Sequence, residues 1–142
     1  MDAKTTYSNS VDQAKINAQS DNMLAGAIER GEKRKEKYRT EWQEVDINEL
    51  FERFNIDPLG TLENGKITYK SRDNTLAIIT DIGGGYCRIE DITATTEKRQ
   101  YLDINGKPAY NYTDAQGKQH GRSSEEFNAA THFLIKKRRN LK

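Results

Sequence analysis

The side chains best suited to chemistry are gathered near the carboxyl terminus, in residues 121–133 (GRSSEEFNAATHF). His132 can accept or donate a proton near neutral pH, because the imidazole pKa is ordinarily about 6.5. Arg122 carries a planar guanidinium that fits two phosphate oxygens at once, and the Thr131 hydroxyl could donate a hydrogen bond to the same group. Together these residues favour chemistry on a phosphate group. The plainer alternative is a surface helix followed by a last strand with a half-exposed histidine.

The charge of the chain is unevenly distributed. The 142 residues have a net charge of +1, yet residues 117–142 hold seven Lys and Arg against two Glu. A basic segment of this kind favours a polyanionic partner such as RNA, although a solvated terminus is its usual explanation.

Cysteine and histidine are scarce, which limits the chemistry. Cys87 is alone, so no intrachain disulfide can form, and two histidines make a closed zinc site improbable. We therefore expect phosphate chemistry without a metal or other cofactor, although carboxylates could hold magnesium weakly. No apolar run reaches the length of a membrane span and the first residues are polar, so neither a membrane anchor nor a signal peptide is expected.

Residues 1–44 are predicted to form a helical linker or docking arm. We expect residues 1–9 to be unstructured, whereas a thin apolar stripe from Ser10 to about Trp42 favours helix. Gly26 and Gly31 weaken that helix. The charged run at 29–37 is interpreted as a solvated helix face, in preference to a phosphate-binding arm.

Residues 45–142 are predicted to form the functional domain, an α+β unit. Apolar spacing predicts a helix over 45–54 that Asp46 caps. Residue patterns predict strands at 66–71, 76–82, 86–92, 100–104 and, as an edge strand, 109–112. Ser123 and Glu126 have the spacing of a capping box, which starts a short helix, and strand formers follow from Thr131. We expect the N-terminal helices to pack on an antiparallel sheet of four to six strands.

Several segments resemble a known class of bacterial protein. TEWQEVDINELFERF, GKITYKS, LAIITDIGGGYCRIED, YLDINGKPAYN and GRSSEEFNAATHF, between residues 40 and 135, are similar to the C-terminal toxin domains of contact-dependent inhibition and other polymorphic toxin systems. The resemblance implies an RNase-like fold of the barnase, EndoU, colicin and RelE group. It also implies a metal-independent endoribonuclease that cleaves tRNA.

The resemblance further implies a cellular setting. Such a domain is secreted as part of a larger cell-surface effector and acts in the cytoplasm of a neighbouring bacterium. A cognate immunity protein neutralises it, and some such toxins use elongation factor Tu as a cofactor.

Metal-free RNA cleavage needs a base for the 2′-hydroxyl, an acid for the leaving 5′-oxygen and cations for the phosphate, and it gives a 2′,3′-cyclic phosphate. His132 is the candidate base or acid, His120 the second proton-transfer group, and Arg122 and Thr131 the phosphate ligands. Thr131 can share a site with His132 only at an irregular helix–strand junction, because adjacent strand residues point to opposite faces. The candidates for holding RNA by charge or stacking are Lys70, Tyr86, Arg88, Lys98 and Arg99.

Other functions stay open from the sequence. A non-catalytic RNA- or protein-binding module would use the same basic face without turnover. A toxin with other chemistry could cleave DNA or transfer ADP-ribose. DNA cleavage would ordinarily need a metal, so sensitivity to a chelator separates it from metal-free RNA cleavage.

Overall fold

The computed structural model describes residues 2–95 and 98–136. Its helices are α1 (Ala3–Asn17), α2 (Asn22–Tyr38), α3 (Ile47–Arg53) and α4 (Ser124–Thr131), with a 3-10 turn at Arg39–Glu41. Its strands are β1 (Gln43–Val45), β2 (Thr61–Glu63), β3 (Lys66–Lys70), β4 (Leu76–Asp81), β5 (Tyr86–Asp91), β6 (Gln100–Leu102), β7 (Asn111–Thr113), β8 (Gln119–Gly121) and β9 (Phe133–Ile135). Of the basic C-terminal segment, residues 137–142 lie outside the described residues.

Side chains that accept backbone N–H groups mark the starts of the helices. Asp46 accepts from the Asn48 amide at 2.9 Å and begins α3, as predicted. Ser123 and Glu126 form the predicted capping box, with the two reciprocal hydrogen bonds at 3.2 and 2.9 Å. These local signals place α3 and α4 correctly, because each cap satisfies donors that the first helical turn leaves without partners.

Within the described residues, seven strands form one mixed sheet in the order β1-β9-β5-β4-β3-β2, and β6 pairs with a further part of β5. All of these pairs are antiparallel except β1 with β9. The α+β prediction is confirmed. The sheet has more strands than expected because the short segments 43–45 and 61–63 pair at its two edges.

The strand register divides the sheet into an apolar face and a polar face, because residues directly opposite each other in an antiparallel pair share a face. The apolar face packs with α1 and α3 in the hydrophobic core, and its members include Tyr69, Ile78, Ile89 and Phe133. The polar face carries three rows of side chains across β3, β4 and β5, of which the row Lys70, Ala77 and Glu90 lies farthest from Tyr86. The other two rows border the candidate site. One row is Lys66, Asp81 and Tyr86, and the other is Thr68, Ile79 and Arg88.

The N-terminal segment is an integral part of this fold. The expectation that residues 1–9 lack structure is wrong, since α1 begins at Ala3. Tyr7, Ala14 and Ile28 belong to the same hydrophobic core as the strands, so this segment packs as part of the domain and does not behave as a separate linker. None of the helices in the described part of the chain has both the length and the apolar character needed to cross a membrane.

Helix α2 crosses the end of the sheet at close range. Gly31 lies so near Asp81 that a Cβ atom there would overlap the carboxylate, and Gly83 approaches the Ile28 carbonyl in the same way. Helix α2 is continuous through Gly26 and Gly31. The glycine at position 31 allows the close approach to the sheet and does not interrupt the helix. The close approach at Gly31 brings the next turn of α2 over the polar face.

The predicted edge strand at 109–112 is shifted and does not join the main sheet. Strands β7 and β8 instead pair with each other as a separate two-stranded hairpin. The turn between them contains Gly117 at a φ of +81°, and the Asp114 amide donates to the Lys118 carbonyl. The hairpin is followed almost directly by α4, which begins three residues after the end of β8.

Candidate active site

His132 lies at the junction between α4 and β9, where the chain changes from helix to strand. Its side chain is buried, with 5% of its surface exposed. Its Nδ1 atom lies 2.8 Å from the Asn128 carbonyl oxygen. Because a carbonyl can only accept, the proton is assigned to Nδ1. The nitrogen left to act as a base is therefore Nε2.

Thr131 lies at the irregular helix–strand junction, the place where its side chain is expected to be able to approach His132. It is the last residue of α4, and its hydroxyl lies 3.2 Å from His132 Nδ1. The same hydroxyl donates to the Phe127 carbonyl at 2.8 Å, and the residue is fully buried. These contacts fit a residue that positions the imidazole through its Nδ1 side.

Two aromatic rings fix the plane of the imidazole. Trp42 stacks on His132 with ring centroids 5.0 Å apart and an interplanar angle of 11°, and Tyr86 packs against it at 5.2 Å. The Trp42 indole N–H donates to the side chain of Asn128 at 3.0 Å. Asn128 thus contacts the histidine through its backbone and the tryptophan through its side chain, so the ring is held in one orientation.

Three cationic side chains share a small pocket with His132. The pocket has a volume of about 200 Å³ and is lined by His132, Arg34, Lys66, Arg88, Ile79, Asp81, Tyr86 and Tyr101. Arg34 donates to the Tyr86 hydroxyl at 2.6 Å and lies 3.4 Å from the Asp81 carboxylate. Arg88 stacks over the Tyr101 ring at 3.3 Å, and its buried Nε atom has no hydrogen-bond partner among the described residues.

The pocket opens where β5 changes partners along one edge. Tyr86 and Cys87 pair with β9, whereas Ile89, Glu90 and Asp91 pair with β6. Arg88 lies at the point between these two pairings, opposite Ile79 of β4. The Arg88 side chain, which stacks on Tyr101 of β6, lines the recess at the point between the two pairings.

The cations and the burial act together on the histidine. They lower the pKa of His132 from its ordinary value of 6.5 to about 4, with burial as the largest cause and the positive charge of Arg88 next. The Asn128 carbonyl acts in the opposite direction, while Arg34 and Lys66 lower the pKa further. Burial also lowers the pKa of Arg88 from its ordinary value. At neutral pH the site therefore holds an uncharged imidazole among cations.

Two of the predicted catalytic residues lie elsewhere. Arg122 donates to the carbonyls of Ala109 and Asn111 at 2.8 and 3.2 Å, and it lines a separate hollow beside the β7–β8 hairpin. His120 pairs with Asp114 at 2.7 Å and stacks on Tyr112. The structure thus does not bring Arg122 or His120 into the pocket of His132, because both side chains are used to hold the hairpin together.

The predicted RNA-binding residues are also divided. Arg88 lines the pocket, and Arg99 lines the hollow next to it. Lys70 lines a different hollow, near Arg72. Lys98 is exposed and lines none of these three recesses. Tyr86 is only 4% exposed and packs against Trp42 and His132, so its ring offers no free face for a base.

The residues of the site that sequence reasoning missed include Arg34, Trp42, Lys66, Asp81, Tyr101 and Asn128. A signal existed for Lys66, because the alternation of β3 puts it on the polar face together with Thr68 and Lys70. Arg34 was hidden in the charged run at 29–37. Its spacing from Ile28 and Gly31, which contact the sheet, would have placed it on the packed side of α2.

No protein-family model, curated protein or solved structure matches this chain. Within residues 2–95 and 98–136 there is also no group of three or more His, Cys, Asp and Glu side chains that could hold a metal ion.

Proposed function

We propose that this protein is an endoribonuclease whose active site is the cationic pocket around His132. One observation carries the proposal: a neutral imidazole with a fixed tautomer shares a recess with Arg34, Lys66 and Arg88. A base surrounded by cations suits a reaction in which a proton is removed next to a phosphate that gains negative charge. RNA supplies that combination, because its 2′-hydroxyl is adjacent to the phosphodiester.

The reaction is an internal transfer of the phosphoryl group. His132 Nε2 takes the proton of the 2′-hydroxyl, and the 2′-oxygen forms a bond to phosphorus. The bond from phosphorus to the 5′-oxygen breaks, and that oxygen leaves with a proton. The products are a 2′,3′-cyclic phosphate and a 5′-hydroxyl. No water enters this step and no group is oxidised or reduced.

The cations have separate tasks in this proposal. Arg34 and Arg88 present guanidinium groups that suit the equatorial oxygens of the phosphate. Arg34 is held by Tyr86 and Asp81, and Arg88 by the Tyr101 ring, so both are in place before substrate arrives. Lys66 is an exposed ammonium in the same pocket, and we assign it the proton that the leaving oxygen receives.

Cleavage of a labelled oligoribonucleotide in the presence of EDTA tests the proposal. We expect fragments that end in a 2′,3′-cyclic phosphate on one side and a 5′-hydroxyl on the other. A single 2′-deoxy nucleotide at the cleaved position should abolish the cut there and leave other cuts intact. Cleavage that continues at the 2′-deoxy position, or that requires an added metal, would contradict the mechanism.

A binding module without turnover is the second candidate. The depth of His132 favours it, because an imidazole packed between Trp42 and Tyr86 could serve the fold alone. Such a protein would bind RNA through Arg34, Lys66 and Arg88 and release it uncut. Stoichiometric binding of intact RNA under the conditions above would support this candidate.

The biological role is proposed from the resemblance to polymorphic toxins. On that basis the domain is delivered as part of a secreted cell-surface effector, cleaves tRNA in the cytoplasm of a neighbouring bacterium and is neutralised by a cognate immunity protein. An activating role for elongation factor Tu belongs to the same proposal. Induced expression without the immunity protein should stop growth and fragment the tRNA pool, whereas normal growth with intact tRNA and folded protein would contradict it.

A further inference from the structure

We infer that the polar face holds a second phosphate-binding subsite, so that the enzyme acts on single-stranded RNA with at least two consecutive phosphates. This inference rests on the proposed ribonuclease function. It concerns the hollow beside the active-site pocket, whose rim carries Arg30 of α2 and Arg99 next to β6. The mechanism above uses neither arginine.

The outer hollow is continuous with the active-site pocket. Arg34, Lys66, Ile79 and Asp81 line both of them, and the outer hollow has a volume of about 440 Å³. Their lining residues run from His132, which immediately precedes β9, through β5, β4 and β3 to Glu63 of β2, and these strands are neighbours in the sheet. Four interstrand spacings give this run of residues a length of roughly 19 Å. A groove of that length is longer than one nucleotide, so a strand whose scissile phosphate lies near His132 continues into the outer hollow.

The outer hollow has the charge that a phosphate needs. Arg30 and Arg99 are exposed guanidinium groups, and Lys66 lies between them and the pocket. Of the two carboxylates that line the hollow, Asp81 is paired with Arg34, which leaves Glu63 at the far end. Arg99 lies 3.9 Å from the Glu90 carboxylate and donates to the Tyr101 hydroxyl at 3.4 Å. Both contacts are long, so a phosphate can replace them. Arg30 and Arg99 line the same hollow, and a guanidinium group suits the oxygens of a phosphate.

The depth of the site restricts the substrate to single strands. His132 is buried at the inner end of the groove, where only 5% of its surface is exposed. A duplex carries its second strand alongside each phosphate, and that strand would meet the rim before the phosphate reached the imidazole. A loop or an unpaired strand can follow the groove with its bases turned outward.

Binding of short uncleavable oligonucleotides tests this inference directly. The probes are a 2′-deoxy dinucleotide with one phosphate and a 2′-deoxy trinucleotide with two, titrated by NMR into the full chain. We expect the trinucleotide to bind about tenfold more tightly, as a charge-assisted contact would provide. The double variant Arg30→Ala/Arg99→Ala should lose most of that gain. Its binding should also depend less on salt, by roughly 0.7 in the logarithmic slope for each lost contact.

The matched control is the double variant Lys33→Ala/Lys107→Ala. It removes the same charge from exposed residues that do not line the groove, and Lys33 lies on the same helix as Arg30. It should keep the full preference for the trinucleotide. Equal affinity of the two probes for the parent chain, or an equal loss in both double variants, would overturn the second subsite.

The two proposals fail in different ways. The probes cannot be cleaved, so their affinities do not depend on turnover. A chain that prefers the trinucleotide but cleaves no RNA would contradict the ribonuclease and leave the subsite standing. A chain that cleaves RNA through His132 but binds both probes equally would contradict the subsite alone.

Discussion

His132 is held by contacts that each act on a different property of the ring. The Asn128 carbonyl determines which nitrogen carries the proton, and Trp42 determines the plane of the imidazole. Burial and the neighbouring cations determine its low proton affinity. A bound phosphate offsets the field of Arg34, Lys66 and Arg88. The imidazole should therefore become a stronger base when substrate arrives.

The depressed pKa of His132 predicts a loss of stability in acid. The unfolded chain takes up this proton near its ordinary pKa of 6.5, whereas the folded chain takes it up only near 4. The folded state is therefore favoured above pH 6.5, and this contribution is lost as the pH falls from 6.5 to 4, by up to ~3 kcal/mol. The free energy of unfolding in urea, measured across this range, checks the direction.

The control for this prediction is His132→Gln, which removes the titrating group. Hydrogen bonds with the backbone and side chain of Ser123 lower the pKa of the Glu126 carboxyl, so its protonation in acid also destabilises the fold, and this contribution is common to both proteins. The free energy of unfolding should fall more steeply in the parent than in the variant. Parallel curves for the two proteins would mean that His132 titrates at its ordinary pKa in the folded state.

Helix α2 is the element that completes the site from outside the sheet. It supplies Arg34 to the pocket and Arg30 to the outer hollow. Its distance from β4 is set at Gly31, where a side chain would overlap Asp81. The position of both arginines therefore depends on the absence of a side chain at Gly31.

Gly31→Ala should destabilise the protein and reduce RNA cleavage together. The added methyl group pushes α2 away from Asp81, which costs about 1–3 kcal/mol when packed structure must shift. Gly26→Ala is the matched control on the same helix, because its nearest contact is the end of the Arg30 side chain at 3.4 Å. It should be neutral or stabilising by up to ~1 kcal/mol. Urea unfolding and cleavage rates check both variants, and similar effects from both would contradict this role of Gly31.

The sequence predicts elements well where the signal is local. The Asp46 cap, the Ser123–Glu126 box and the alternation of β3 and β5 each depend on residues within a few positions of one another. The first turns of α1 were not predicted because the apolar residues of this helix are few. The spacing of Tyr7, Val11 and Ala14 was nevertheless that of a helix face.

At the scale of the whole molecule, one hydrophobic core joins the N-terminal helices to the sheet. Tyr7 and Ala14 of α1 and Ile28 of α2 are buried with Ile78, Ile89 and residues of α3. The pocket around His132, on the other side of the sheet, is likewise built from elements that are distant in the chain. It combines residues from α2, β3, β4, β5, β6 and the α4–β9 junction.

This long-range assembly explains why the sequence named His132 and Arg88 as candidates but did not indicate most of the other residues of their pocket. Arg34 and His132 are far apart in the chain, and only the packing of α2 on the sheet brings them to one recess. Conversely, Arg122 is close to His132 in the chain but is held by the carbonyls of Ala109 and Asn111. Proximity in sequence was therefore a poor guide to proximity in the site.

A fragment that begins at Trp42 should not fold like the full chain. Removing α1 and α2 exposes the apolar face that Tyr7, Ala14 and Ile28 cover, and it removes Arg34 from the pocket. We expect the fragment to lose the cooperative unfolding transition that a single domain shows in urea. A fragment with an unchanged transition and unchanged cleavage would show that the first two helices are dispensable.

If His132 is the base of a ribonuclease, the two histidines should differ sharply in their importance for cleavage. We would determine kcat/KM for a short oligoribonucleotide in EDTA with the parent, His132→Ala and His120→Ala, after confirming by urea unfolding that each is folded. We expect His132→Ala to lose activity by about 10²- to 10⁴-fold, as is usual for loss of a general base, and His120→Ala to stay near the parent. Full activity in His132→Ala, or loss of activity in His120→Ala alone, would contradict this role of His132.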